Sequence, residues 1–396
     1  MERKVGTVVR GIRGPIINQG MDVAEISAEC ILTAAASEGY EIHDRDVIAI
    51  TESVVARAQG NYVSITDIAA DVKEQTGGGT IGLLFPILSR NRFSICLKGF
   101  AQAAAKIVLQ LSYPADEVGN HLLEVDALYK STVNPWSDTL TEDEFRRLFG
   151  HPLHPFTGMD YVSYYKELVE EQGAQCEIIF SNRTEAILDR VDTVIACDVH
   201  TRAHTKEVLK KAGAKLVLGM DDIVATPTSA HGYNETYGLL GSNKATEEKV
   251  KLFPRDCQPV VERVRDLIYR ATGKKVEAMI YGDGAFRDPV GKIWELADPV
   301  VSPAYTAGLE GTPNELKLKY LADNDFAGLS PEEQAKAIEE SIRNKDRLAK
   351  DAAVAQGTTP RRLTDLLGSL CDLTSGSGDK GTPFIHIQGY FDNYAN

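Results

Sequence analysis

Short apolar runs, none longer than a strand, alternate along this chain with amphipathic stretches of helical length. The runs at 46–51 (DVIAIT), 193–196 (TVIA), 215–218 (KLVL) and 276–281 (VEAMIY) carry few polar residues. A strand with that composition is covered on both faces rather than on one. Helical periodicity is expected at 23–36, 65–75, 205–212, 260–272, 331–353 and 360–373, with Gly77–Gly79 and Gly213 as stops. Further strands are expected near 81–87, 92–97, 177–180 and 383–388. A strand that returns to its sheet through a helix runs parallel to its predecessor, so the rhythm favours parallel pairs.

The rhythm divides the 396 residues into three segments. Residues 1–100 and 226–396 are expected to form one α+β core, and 101–225 an inserted α/β lobe. Apolar residues make up 43% and charged residues 25%, the balance of a globular protein. A net charge of −14 repels phosphate backbones, which argues against nucleic acid as a partner. The apolar runs are too short to span a bilayer, and the opening MERKVGTVVRGIRGPI lacks the apolar core of a secretory signal. Six scattered cysteines read as reduced thiols, so a cytoplasmic protein with no membrane partner is expected.

Several loops carry chemistry. Gly282-Asp283-Gly284-Ala285-Phe286-Arg287 follows the strand VEAMIY. A carboxylate at a strand end suits a divalent cation, flanking glycines let a backbone approach phosphate, and Arg287 supplies positive charge. A tight turn with a solvated salt bridge is the alternative. The loop 375–381 (SGSGDKG) has the composition of an anion nest or of a linker. The loop 231–243, ending in Ser242-Asn243, suits close contact with a ligand or is an ordinary loop. Arg10, Arg13 and Arg57 stand near expected strand ends, where arginine grips phosphate. Cys197, His200 and His204 have zinc-like spacing but no evident fourth ligand, so polar contacts at a helix start are the stronger reading.

The order of these motifs resembles that of the deazaflavin coenzyme F-420-0:L-glutamate ligase family. RGIRGPI with the Gly20-Met21-Asp22 turn resembles the family's opening loop, and DRDVIAITESVVARAQGNYV its nucleotide-binding strand and loop. YGLLGSN resembles its G-I-D-E-S-N loop, and VEAMIYGDGAFR its metal-binding S-D-T-x-G-R loop. GSGDKGTPFIHIQG resembles its closing G-Q-G-D-E-G-x-P loop and strand.

The resemblance implies a γ-glutamyl-ligase-like core and a metal- and nucleotide-dependent ligase. Such an enzyme joins a small-molecule acid to L-glutamate through an acyl phosphate, using GTP or ATP with Mg²⁺ or Mn²⁺. It implies Asp283 as metal ligand and Arg287 beside it as catalytic. Arg10, Gly11, Glu52, Ser53, Arg57, Asn243, Gly376, Ser377, Gly378, Asp379 and Lys380 are implied around the nucleotide, and a homodimer is implied as the assembly. Three family metal ligands fall on Leu240, Gly284 and Ser377, and leucine cannot coordinate a hard cation. Asp256, Asp288, Asp379 or Glu235 would have to rebuild the site. Two alternatives therefore stand: the same chemistry on a folate or another acid, or a nucleotide-binding member without catalysis.

Overall fold

The structure is a computed structural model that describes residues 4–287, 294, 296–345, 361–375 and 378–395. Its strands are β1 (Val8–Ile12), β2 (Val47–Thr51), β3 (Tyr62–Ser64), β4 (Thr80–Leu84), β5 (Lys106–Leu111), β6 (Leu140–Thr141) and β7 (Gln175–Phe180). They continue with β8 (Thr193–Ala196), β9 (Leu216–Gly219), β10 (Asn243–Thr246), β11 (Lys249–Lys251), β12 (Glu277–Tyr281), β13 (Ala304–Tyr305) and β14 (Phe384–Gln388). Together with the helices between them they form a mixed α+β protein, with three sheets among the described residues.

The first sheet has the order β1-β14-β2-β12-β13. Only β2 and β12 are parallel in it, with Val47 opposite Glu277 and Thr51 opposite Tyr281. Alternation along a strand sends neighbouring side chains to opposite faces. Ile48, Ile50, Ala278, Ile280 and Phe384 accordingly pack with residues of the helices Val23–Glu38 and Cys257–Thr272. Val47, Ala49, Met279, Tyr281 and Ile385 pack on the other face with Leu367 and Cys371 of the helix Leu363–Ser375. Double coverage is why DVIAIT and VEAMIY read as continuous apolar runs.

The second large sheet has the order β6-β7-β5-β4-β8-β9. All its strands but β6 are parallel. From β7 to β9 the parallel strands stand third, second, first, fourth and fifth in chain order, the doubly wound arrangement whose direction reverses between β4 and β8. Helices cover both faces: Ile68, Phe100 and Tyr165 lie in one apolar cluster, Ile187 and Leu209 in the other. A small antiparallel sheet, β10-β11-β3, completes the set.

Two expectations change. The strand at 80–84 stands in the middle of the six-stranded sheet, so that sheet starts before residue 101. The stretch 92–97 is the start of a helix, Phe93–Ala103, and not a strand. Phe93, Cys96, Leu97 and Phe100 are all buried at helical spacing, a pattern that a six-residue window cuts short. No helix among the described residues is long and apolar enough to cross a membrane.

Candidate active site at the ends of β2 and β12

Parallel pairing brings the carboxyl ends of β2 and β12 side by side. Glu52 follows the first directly, and Asp283 stands two residues beyond the second. Arg92, at the N-cap of the helix Phe93–Ala103, reaches in from the shell of the other large sheet. Its guanidinium forks between two aspartates, 2.8 Å from Asp283 and 2.7 Å from Asp298. The second oxygen of Asp298 accepts the Asp283 amide at 2.8 Å, and Asp372 accepts the Gly284 amide at 2.9 Å. Burial opposes the charge on Arg92, but Asp283 and then Asp298 outweigh it and hold the guanidinium above its ordinary range.

Beside this fork lies a buried ion pair. Both oxygens of Glu52 accept Lys251 Nζ, at 2.8 and 2.7 Å. Burial pushes the Glu52 carboxyl upward, Lys251 opposes the shift, and Asp298 adds to it. Lys251 lies opposite Asn243 in the β10–β11 ladder, which ties Asn243 to the same corner. Glu52, Asp283, Asp298 and Asp372 thus meet around Arg92 and Lys251. Both cations and both amides are engaged by these carboxylates, so the corner is a closed, preorganised charge network in which each carboxylate is fixed in place.

The glycines of the 282–284 loop serve packing. A Cβ at Gly282 would lie 2.3 Å from Asp298 Oδ2, and one at Gly284 would lie 2.8 Å from the Ser369 backbone. Their missing side chains make room for Asp298 and the helix Leu363–Ser375, not for a phosphate.

The other residues expected at the site are dispersed. Arg287 bridges to Trp294 and stacks its guanidinium on that ring at 5.9 Å, so Arg92 is the arginine on Asp283. Arg10 sits on the edge strand, lies 4.0 Å from the Tyr40 ring centre, and donates to Gln388 at 2.5 Å. Pairing registers put Arg10 level with Ala278, three strands away, or about 14 Å across the sheet. With Gly11 it lines a cavity of about 850 Å³ against the helix Val23–Glu38. Ser53 is exposed, and Arg57 donates to the Ile17 carbonyl, bracing the loop before that helix. Gly378, Asp379 and Lys380 are exposed in a short turn; Gly381 beyond it accepts the Gly14 amide at 3.1 Å. Gly376, Ser377 and Asp288 lie outside the described residues.

Leu240 is 1% exposed and shares a small apolar cavity with Arg92, Phe93 and Cys197. Asp256 and Glu235 are exposed, so neither replaces a carboxylate there. Among the described residues no three His, Cys, Asp or Glu side chains converge to hold a metal ion. Asp283 and Asp298 each give an oxygen to Arg92, and Leu240, beside Arg92, offers no donor. Among the described residues, therefore, the donor set does not fit a divalent ion held by the protein alone at Asp283. The zinc-like spacing fails as well: Cys197 is buried, burial holds its thiol well above the usual range, and His204 is exposed.

Asp298, Asp372, Lys251 and Arg92 carry no local pattern in the sequence. Each reaches the corner from a separate part of the chain, with Arg92 191 residues from Asp283.

Residues 11–389 match the model of the family described as F420-0:Gamma-glutamyl ligase. The chain is also similar to the coenzyme F420:L-glutamate ligase of Methanothermobacter thermautotrophicus, with 33% identity over 79 residues. That alignment covers 18% of this chain and 30% of the relative's length. The family match spans both parallel strand ends and every carboxylate around Arg92, and on its extent the chain belongs to the F420-0:γ-glutamyl ligase family.

Proposed function

We propose that this chain is a nucleotide-dependent γ-glutamyl ligase that joins a small-molecule carboxylic acid to the amine of L-glutamate. The observation that carries the reading is the family match over residues 11–389. The chemistry would run in two steps. The γ-phosphoryl group of GTP or ATP passes to an oxygen of the acceptor carboxylate, releasing the nucleoside diphosphate. The glutamate nitrogen then attacks the activated carbonyl carbon, loses a proton and expels phosphate.

Phosphoryl transfer is catalysed chiefly by positioning and by positive charge near the transferring group. In this chain Arg92 and Lys251 are paired with Asp283, Asp298 and Glu52, so they order the corner rather than neutralise the phosphates. Mg²⁺ or Mn²⁺ is proposed to enter as the counter-ion of the nucleotide phosphates. A homodimer is proposed as the assembly, and light scattering at micromolar concentration tests it.

The deciding experiment incubates the protein with GTP or ATP, Mg²⁺, L-glutamate and a panel of acids that includes a deazaflavin and a folate. Mass spectrometry should show an acid–glutamate amide formed in step with nucleoside diphosphate. A second reading, favoured by Leu240 where the family motif carries an aspartate, is a member that binds nucleotide without ligating. Nucleotide binding with no amide from any acid would select it over the first.

A further inference from the structure

Two aspartates that share a partly enclosed corner repel one another unless a cation lies between them. Asp298 is the more enclosed, its side chain 2% exposed against 19% for Asp283. Both of its oxygens are engaged, one by Arg92 and one by the Asp283 amide. The flank beside Arg92 is Leu240 and its apolar neighbours. A divalent ion bridging these two carboxylates would have to take the place that the guanidinium fills. Arginine is not removed by deprotonation, and its planar fork matches two carboxylates better than lysine would.

We propose that Arg92 is the resident cation of this site: it holds the place between Asp283 and Asp298 that a metal ion would otherwise take, and keeps the nucleotide-free protein from binding one there. The inference deepens the ligase reading and rests on it for its consequence, which is that a divalent ion used in the reaction arrives with the nucleotide. Arg92 meets the side chains of the two aspartates, so its role here is to neutralise and position Asp283.

The test is a Mn²⁺ titration of nucleotide-free protein followed by electron paramagnetic resonance, in which bound Mn²⁺ loses its free-ion signal. Arg92→Ala takes the guanidinium from between Asp283 and Asp298, whose carboxylate oxygens are hard donors that water can complete. It should bind one Mn²⁺ per chain at least about tenfold more tightly than wild type, and adding Asp283→Asn should abolish the gain. A merely structural salt bridge predicts a less stable variant with no such gain, and a folded Arg92→Ala protein without it overturns the proposal. If that variant does not fold, wild type and Asp283→Asn decide. Equal Mn²⁺ titrations support the proposal, and a site present in wild type but lost in Asp283→Asn overturns it. The readout contains no turnover, so absent ligation and a metal-binding wild type are separate failures.

Discussion

Asp283 and Asp198 occupy equivalent places in the two large sheets. Each stands two residues beyond the carboxyl end of a buried parallel strand, β12 and β8. Their surroundings differ. Asp283 meets a guanidinium at 2.8 Å. Asp198 meets hydroxyls, Thr201 at 2.6 Å and Thr205 at 2.7 Å, and its other oxygen has no hydrogen-bond partner among the described residues. Glu117 lies nearby and accepts the amides of Val199, His200 and Thr201 at the start of the helix Arg202–Lys211. Burial chiefly, and Glu117 further, push the Asp198 carboxyl upward. One strand-end aspartate is therefore paired with a cation, and the other is driven towards its neutral form. Position relative to a strand sets where a carboxylate goes, and partners remote in sequence set what it does there.

The largest expected effect separates the two by turnover. Asp283→Asn keeps the shape of the side chain but removes the charge that positions Arg92. Amide formation should fall by about 10² to 10³, the usual cost of one preorganised electrostatic contact. Asp198→Asn, assayed alongside, should stay close to wild type. Full activity in Asp283→Asn would remove that residue from the site, and equal losses in both variants would erase the distinction.

A third strand-end carboxylate sharpens the comparison through stability. Glu52 follows β2 and depends on Lys251, with side chains 6% and 9% exposed. Lys251→Met leaves a buried carboxylate without its cation and should cost about 3–5 kcal/mol in denaturant unfolding. Removing both charges, with Glu52→Gln added, should recover much of that loss. The half-exposed pair Lys106–Glu177 sets the baseline, since Lys106→Met should cost only about 0–1 kcal/mol. A single-variant cost at that baseline would mean that Glu52 is solvated or already protonated.

The contrast also separates what is legible in the amino-acid sequence from what is not. DVIAIT, VEAMIY and TVIA announce doubly covered strands because burial on both faces leaves a local mark. Asp283 is legible for the same reason, as the first carboxylate after such a strand. Arg287 is the arginine nearest to it in sequence, yet the corner is closed by Arg92, whose stretch SRNRF has nothing local to distinguish it. Gly282 and Gly284 are legible as close approaches but not as to what approaches, because Asp298 and Ser369 arrive from other segments. The extent of the six-stranded sheet is hidden because β4 is as apolar as the strands of the first sheet, and pairing choice leaves no trace in one strand's composition.

The smallest expected effect is a pH dependence confined to Asp198. Its folded carboxyl titrates above the ordinary value of 3.8, chiefly through burial and further through Glu117, so the native state holds the proton more tightly than the unfolded chain does. The stability linked to this group is then fully present below about pH 4 and is lost as pH rises through the folded pKa. This is opposite in sign to a carboxylate held by a cation. Asp198→Asn carries no such titration, so its melting temperature relative to wild type should rise between about pH 4 and 7, whatever constant offset the amide introduces. Comparing the two proteins pH by pH cancels the other carboxylates, which are common to both. The expected change is small, roughly a degree or two in Tm. A difference that fell with pH would mean that Asp198 is stabilised as an anion. The two strand ends would then be alike in charge and would differ only in which group supplies the counter-charge.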